Sequence, residues 1–431
     1  MAWKHLNRLR RYTQSSLWVV PFIAIPFELA ATRLLHLLDT WLGWPFLGIA
    51  IQGAQATLQA IVTATLSFVV FTFGSLLVAI QVASAQMTPR IIATTLLRDN
   101  VVKYTVGLFI FTLLFALSAQ NRLTDEVHQL ILFAAAFLGL ACFAAFFYLI
   151  DYASRLLRPV SILTKVGDQG LAVIESVYPD MSSGPQDSRD QHPALGSPSR
   201  VVPHAGRSGS ILAVDLKTLA GEAGRVGGIV EFIPQVGDFI AQDEPLFNLY
   251  GGAAALDDDT LRATVMCGSE RTMEQDPAFA FRIVADIALR ALSPAINDPT
   301  TAVLAIDQLH LMLRTVGQRQ LRTEEILGPC GQLRVLFRTP NWEDFVHLSF
   351  AEIRACGSNN MQIVRRLRAM IENLILTLPA YRHPVLHQEL GLLDREIKKH
   401  FGCPEELRLA RTADSQGLGG HSGKSRPERQ A

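Results

Sequence analysis

A chain of 431 residues is long enough for about two or three structural units. Its 39 basic and 39 acidic side chains cancel, which removes any whole-protein electrostatic argument for nucleic acid or for an acidic partner. Charge is unevenly placed, however. Between Thr40 and Pro89 there is no Asp, Glu, Lys or Arg, whereas residues 354–411 are densely charged, the division expected of a membrane part followed by a soluble part.

At the N-terminus, Lys4, Arg8, Arg10 and Arg11 precede an apolar run, as in a signal peptide. That run contains Pro21, Pro26 and Glu28, and no small-residue cleavage site follows closely, so it reads as an uncleaved first membrane helix. A spanning helix needs ~20 mostly apolar residues. Residues 17–38, 55–83, 104–120 and 129–150 meet that length, and the short polar stretch 121–128 makes the last two an antiparallel hairpin. The expected organisation is a basic N-terminus (1–16) followed by an α-helical membrane domain of about four transmembrane helices (17–150).

Basic residues near the helix ends set the orientation. Lys4, Arg8, Arg10 and Arg11, then Arg90, Arg98 and Lys103, then Arg155, Arg158 and Lys165 fall on one side; Arg33 and Arg122 fall on the other, with Asp39, Asp125 and Glu126. Both termini are therefore expected in the cytoplasm. Trp41 and Trp44 suit an outer interfacial belt.

The second segment is the most informative. Gln52 to Thr88 would be ~55 Å long as a helix, beyond a ~30 Å hydrocarbon core, so its cytoplasmic end is expected to project. On a helical wheel Gln52, Gln55, Gln59, Thr63, Ser67, Gly74, Gln81, Ser84 and Thr88 fall within roughly a third of the circumference. Thr65, Thr72 and Ser75 lie elsewhere. Two readings stay open: helix packing through small residues and amides, or a wet surface lining a pore when several copies assemble. Gln55, Gln59, Thr63, Ser67, Gly74 and Gln81 are the candidate pore-lining residues. Glu28 is the acid inside an apolar segment and hence a functional candidate, the alternative being an interfacial position beside Arg33. Ala135, Gly139, Ala141 and Ala145 in the fourth segment read as packing contacts.

Residues 151–178 stay amphipathic, and 179–209, rich in Pro, Ser, Gly, Asp and His, read as a flexible linker. A cytosolic α+β domain follows. Short strands are expected at 211–215, 228–233, 236–240 and 245–247. Residues 210–252 resemble the barrel-sandwich modules of lipoyl and biotinyl domains and of membrane adaptor proteins. Lys217, beside Asp215 and without flanking methionines, does not fit their attachment site, so no cofactor is expected. Residues 253–410 read as a helical α+β region with helices near 277–292, 300–316, 359–378 and 384–401 and a strand at 333–338. Asp298 followed by Pro299 has the form of an N-cap. Arg365, Arg366, Arg368 and Glu372 are placed outward, and residues 411–431 read as a disordered tail.

Arg271, Asp276, Asp286, Arg290, Asn297 and Asp298 form the densest polar set of this half. They would suit an ion or phosphate, but Asp286 and Arg290 also have the spacing of a plain i,i+4 pair. The five cysteines form no CxxC pair and no metal-ligand spacing, and Cys142 reads as a small hydrophobe. No P-loop, HExxH, dinucleotide fingerprint or nucleophile elbow is present, so neither an enzyme nor a metal or nucleic-acid partner is expected.

Ser84-Ala85-Gln86-Met87-Thr88-Pro89-Arg90, together with Leu17-Trp18 and Pro21 and with the run from Ala288 to Pro299 (ALRALSPAINDP), resembles the bacterial membrane proteins catalogued as domain of unknown function 2254. The resemblance covers roughly residues 10–400; Ala85 and Met87 stand where a second serine and a phenylalanine would be expected. It implies a bacterial inner-membrane protein and carries no activity, substrate or catalytic residue. The functional expectation is a homo-oligomer in the lipid bilayer, passing an ion or small solute under control of its cytosolic domain. The alternative is a membrane-anchored scaffold or sensor without transport.

Overall fold

The computed structural model describes residues 19–42, 50–86, 100–123, 129–156, 158–182, 184, 195–321 and 324–420. The described chain divides into two compact units, one up to Ile162 and the other from Leu163 onward.

The first unit holds α1 (Val19–Leu42), α2 (Ile51–Gln86), α3 (Asn100–Asn121) and α4 (Gln129–Leu156). Three of them, α2, α3 and α4, are long and apolar enough to cross a membrane. Helix α1 matches them in length and runs unbroken through Pro26, but Glu28, Arg33 and Asp39 interrupt its apolarity. Among the described residues, three helices are thus long and apolar enough to span, where about four were expected. Helices α3 and α4 pack together, and α1 and α2 each pack on both. Ala54 and Leu58 of α2 meet Phe115, Ala116 and Ala119 of α3 and Ile131, Leu132 and Ala135 of α4 in one buried cluster. Small residues set the approach: the Gly107 Cα faces Val20, and the Gly139 Cα faces Ile61. Phe68 stacks on Phe146 with ring centroids 4.4 Å apart.

In the second unit, α5 (Pro159–Val177) lays Gly167 against Gln308 and Gly170 against Met312 and Ala280. Strands β1 (Arg200–Pro203) and β2 (Gly209–Val214) come next, then α6 (Leu216–Arg225) and β3 (Gly228–Phe232). They are followed by β4 (Phe239–Ile240), β5 (Pro245–Gly251), α7 (Asp258–Ala263) and β6 (Val265–Gly268). Helices α8 (Pro277–Ala291) and α9 (Pro299–Gly317) lead to β7 (Glu325–Leu327) and β8 (Leu333–Phe337). Four helices end the described chain: α10 (Trp342–Gly357), α11 (Met361–Thr377), α12 (His383–His400) and α13 (Pro404–Ala410).

The strands form a five-stranded sheet, β1-β5-β3-β8-β7, and a three-stranded sheet, β4-β2-β6. Only β3 and β8 pair in parallel among them. Val202, Ile211, Val230, Phe247, Val265 and Val335, from both sheets, share one core that Leu219 and Ala223 of α6 close. This is a pair of open sheets and not a closed barrel. It also reaches beyond residues 210–252, taking β1 from the stretch read as linker and β7 and β8 from the helical region. Lys217 lies on α6 and not at a hairpin tip.

Helix starts follow local chemistry. Asp276, Asp298 and Asn341 each accept from a backbone amide of the first turn of α8, α9 and α10, with proline in the first turn of α8 and α9. Helix α11 packs on α9, α10, α12 and α13 and is buried nearly all round. Arg365, Arg366 and Arg368 are buried, which corrects the outward placement read from charge alone. Asp414 is likewise buried, so the described part of the C-terminal stretch, up to residue 420, is packed and not a loose tail.

Candidate functional site

Helix α2 turns one face to α3 and α4 and leaves the other open. Its buried residues are Ala54, Leu58, Thr65 and Thr72. At 100° per residue these centre about 150° away from the arc of Gln55, Gln59, Thr63, Ser67, Gly74 and Gln81. All six are exposed on the chain. Thr63 and Ser67 donate their hydroxyls to the carbonyls one turn back, Gln59 and Thr63, at 2.9 and 2.8 Å, so their own donors are satisfied within the helix. The Gln59 Oε1 also accepts from Nε2 of Gln120 on α3 at 3.0 Å. The same arc carries Leu66, Val70, Phe73 and Leu77, which are exposed too. Polar residues thus predominate on the arc from Gln52 to Ser67, ~22 Å of helix with Leu66 among them, and apolar ones around Gly74 up to Gln81. Arg90 and Arg98, expected on the cytoplasmic side, lie outside the described residues.

Glu28 is buried against the neighbouring helices of the chain. Only 4% of it is accessible, and its Oε1 accepts the Thr32 hydroxyl at 2.7 Å. Thr32 is wholly buried, and His36 and Asp39 continue the same helical face half-buried. Asp39 accepts the Leu130 amide at 3.1 Å, at the amino end of α4, where unpaired amides favour an acidic partner. The spacing of these four residues was readable in the sequence, but only Glu28 stands out without the structure. Nearby, the Cys142 thiol donates to the Thr112 hydroxyl at 3.2 Å, so its packing role includes a hydrogen bond.

The polar set of the second unit is dispersed. Arg271 pairs with Asp276 at the start of α8 and lies over the Phe279 ring, 5.3 Å from its centroid. Gly237, at φ +98°, leaves room for that guanidinium, which a Cβ would strike. Burial pushes the Asp276 carboxyl up against the pull of Arg271. Asp286 pairs with Arg282 at 2.6 Å, and Arg282 also reaches Glu352. Arg290 lies at the other end of α8, about 20 Å from its start. Asn297 adopts φ +48° in the turn, and Asp298 caps α9 by accepting from Thr301 N at 3.1 Å. These residues start helices and tie them together; they do not converge on one ligand. Among the described residues, no group of three or more His, Cys, Asp or Glu is placed to hold a metal ion.

Two features of this unit carry polar chemistry that the sequence did not indicate. Asp307, Arg366, His310 and Asn373 form a network between α9 and α11. Arg366 donates to His310 Nδ1 at 3.1 Å, which leaves the Nε2 proton for Asn373 Oδ1 at 2.9 Å. Burial, then Arg366, holds the imidazole below its usual value. An open cleft of ≈ 790 Å³ lies between β2, α6 and β7 on one side and residues 176–180 on the other, with Lys217, Asp180, Gln275 and Gln320 on its walls.

The family model described as predicted membrane protein (DUF2254) matches residues 14–373. Uncharacterized protein Rv1290c of Mycobacterium tuberculosis and uncharacterized protein Mb1321c of Mycobacterium bovis are each 25% identical over 422 residues, covering 92% of this chain and 79% of theirs. No solved structure matches the chain.

Proposed function

The chain belongs to the DUF2254 family of predicted membrane proteins, and from that premise we propose that it assembles as a homo-oligomeric channel-like protein of the bacterial inner membrane. In this reading α1 is a fourth crossing, both termini are cytoplasmic by the positive-inside rule, and the second unit regulates the path. Its cleft is of the size that holds a small-molecule regulator. The protein performs no chemical step of its own.

One observation carries the reading. The stripe of Gln55, Gln59, Thr63 and Ser67 stays open on the face of α2 turned away from the chain's own packing. Amides and hydroxyls solvate a hydrated ion without a fixed charge that would trap it. Beyond Ser67, Val70, Phe73 and Leu77 on the same arc supply an apolar constriction of the kind that closes by dewetting. The Gln120 bond to Gln59 favours the rival reading, a packed seam in a scaffold or sensor without transport.

Single cysteines at Gln59, Thr63, Ser67 and Gly74, in a background without native cysteines, separate the two. A wet path labels them with a water-soluble thiol reagent and spares Val69 and Leu76. Uniform protection of the stripe in intact oligomers would end the channel reading.

A further inference from the structure

Helix α1 carries a second polar feature, on its inward face. Ala24, Glu28 and Thr32 are its buried positions, spaced one turn apart, and His36 and Asp39 extend the line. Glu28 to Asp39 spans ~17 Å along the axis. Phe27 packs on Phe111 of α3 with ring centroids 6.5 Å apart, which places Glu28 level with the middle turns of that helix. The elements packed on α1 offer little charge at this depth. Helix α2 has no charged residue, and α4 has none before Asp151, which pairs with Arg155 at the helix end. On α3 the charged residue is Lys103, buried in the first turn, ~12 Å along the axis from Phe111. On α1 itself Arg33 points outward and is exposed.

A carboxylate shielded from water and, among the described residues, without a cation at its own level is expensive, whereas a carboxyl that keeps its proton is not. We infer that Glu28 is a proton-binding site, and that Thr32, His36 and Asp39 form the polar ladder by which protons reach it from the end of the first unit at which α4 begins. The Thr32 hydroxyl already touches the Glu28 carboxyl. The longer steps, ~6 Å per four residues, require water between the groups. The inference rests on α1 crossing the membrane, as proposed above, but not on the stripe of α2 being wet.

The test uses the full-length protein in proteoliposomes and needs no variant for its first arm. Dicyclohexylcarbodiimide reacts with a protonated carboxyl in apolar surroundings and not with a carboxylate. Peptide mass spectrometry is expected to find its adduct on Glu28. In the second arm, vesicles loaded with a pH-sensitive dye report proton entry under an imposed potential. Glu28→Gln is expected to lower that flux, and His36→Asn to slow it severalfold. Thermal unfolding of Glu28→Gln and Glu28→Asp separates lost flux from lost fold. Absence of the Glu28 adduct in monodisperse protein, or wild-type flux in Glu28→Gln, overturns the proton site. Protection of the α2 cysteines alongside a Glu28 adduct would instead remove the channel reading and leave this site standing.

Discussion

The amide of Asp414 donates to the carbonyl of Arg365 at 3.2 Å, and both side chains are wholly buried. Arg365 returns the contact by donating to the carbonyls of Thr412 and Gly419, at 3.0 and 2.8 Å. The Asp414 carboxylate accepts the amides of Gln416, Gly417 and Gly419. An arginine in the middle of α11 thus locks residues 412–420 onto the helical bundle, and its charge is met by oriented carbonyls. Replacing Arg365 by Met leaves those carbonyls without a charged donor, a loss of about 3 kcal/mol for the second unit. Thermal unfolding should fall accordingly, and limited proteolysis should cut near residue 412 first. Unchanged protection of that stretch would show that packing alone holds it.

His310 makes the second unit sensitive to acid. In the unfolded chain an imidazole titrates near 6.5, and in the fold burial, then Arg366, keeps it lower. The unfolded state therefore binds the proton first, so this stability is complete above about pH 6.5 and is lost as pH falls through the folded value. His310→Gln keeps an acceptor and a donor without the titration. Melting temperature followed from about pH 8 to about pH 5 should drop further in wild type than in the variant.

Asp276 caps α8 from a site of low accessibility, accepting the Phe279 amide at 3.0 Å. Burial raises its carboxyl, so holding it ionised opposes folding as pH rises above the unfolded value near 3.9. Asp276→Asn retains the cap without a buried charge, whereas Asp276→Ala loses it, at about 1–2 kcal/mol. At neutral pH the order of denaturation midpoints should be Asn variant above Ala variant. Equal midpoints would mean that the pair with Arg271, lost in both, dominates.

Val70 lies in the middle of the arc that also holds Gln59 and Thr63, and it is exposed. If that arc lines a path, Val70→Ser wets the apolar part and should raise solute leak through reconstituted protein. Val69→Ser, beside it but off the arc, serves as the control. Equal behaviour of the two variants would speak for a lipid-facing or packed surface.

Where local chemistry decides, the sequence was legible. The apolar lengths of α2, α3 and α4 mark them as able to span a membrane, and Asp298-Pro299 announces the start of α9, because a cap needs only its own first turn. The stripe on α2 was legible too, since a helical wheel needs nothing but spacing. The arc is not purely polar, however, since Val70 and Leu77 share it.

The rest was settled by neighbours distant in sequence. Strand β1 exists because it pairs with β5, Val201 opposite Asn248, and a four-residue stretch inside a polar segment has no signal of its own. Strands β3 and β8 pair in parallel, Val230 opposite Val335, across more than a hundred intervening residues, which local pattern cannot register. Arg365, Arg366 and Arg368 look like a solvated face until α9, α12 and the 412–420 segment surround them with carbonyls and carboxylates. Composition and periodicity determined a part with long apolar helices, a more polar part and most of the helices, because those depend on contacts within a turn or two. Which polar groups are buried, and therefore which carry the protein's chemistry, was decided by tertiary packing, because burial is a property of what lies opposite.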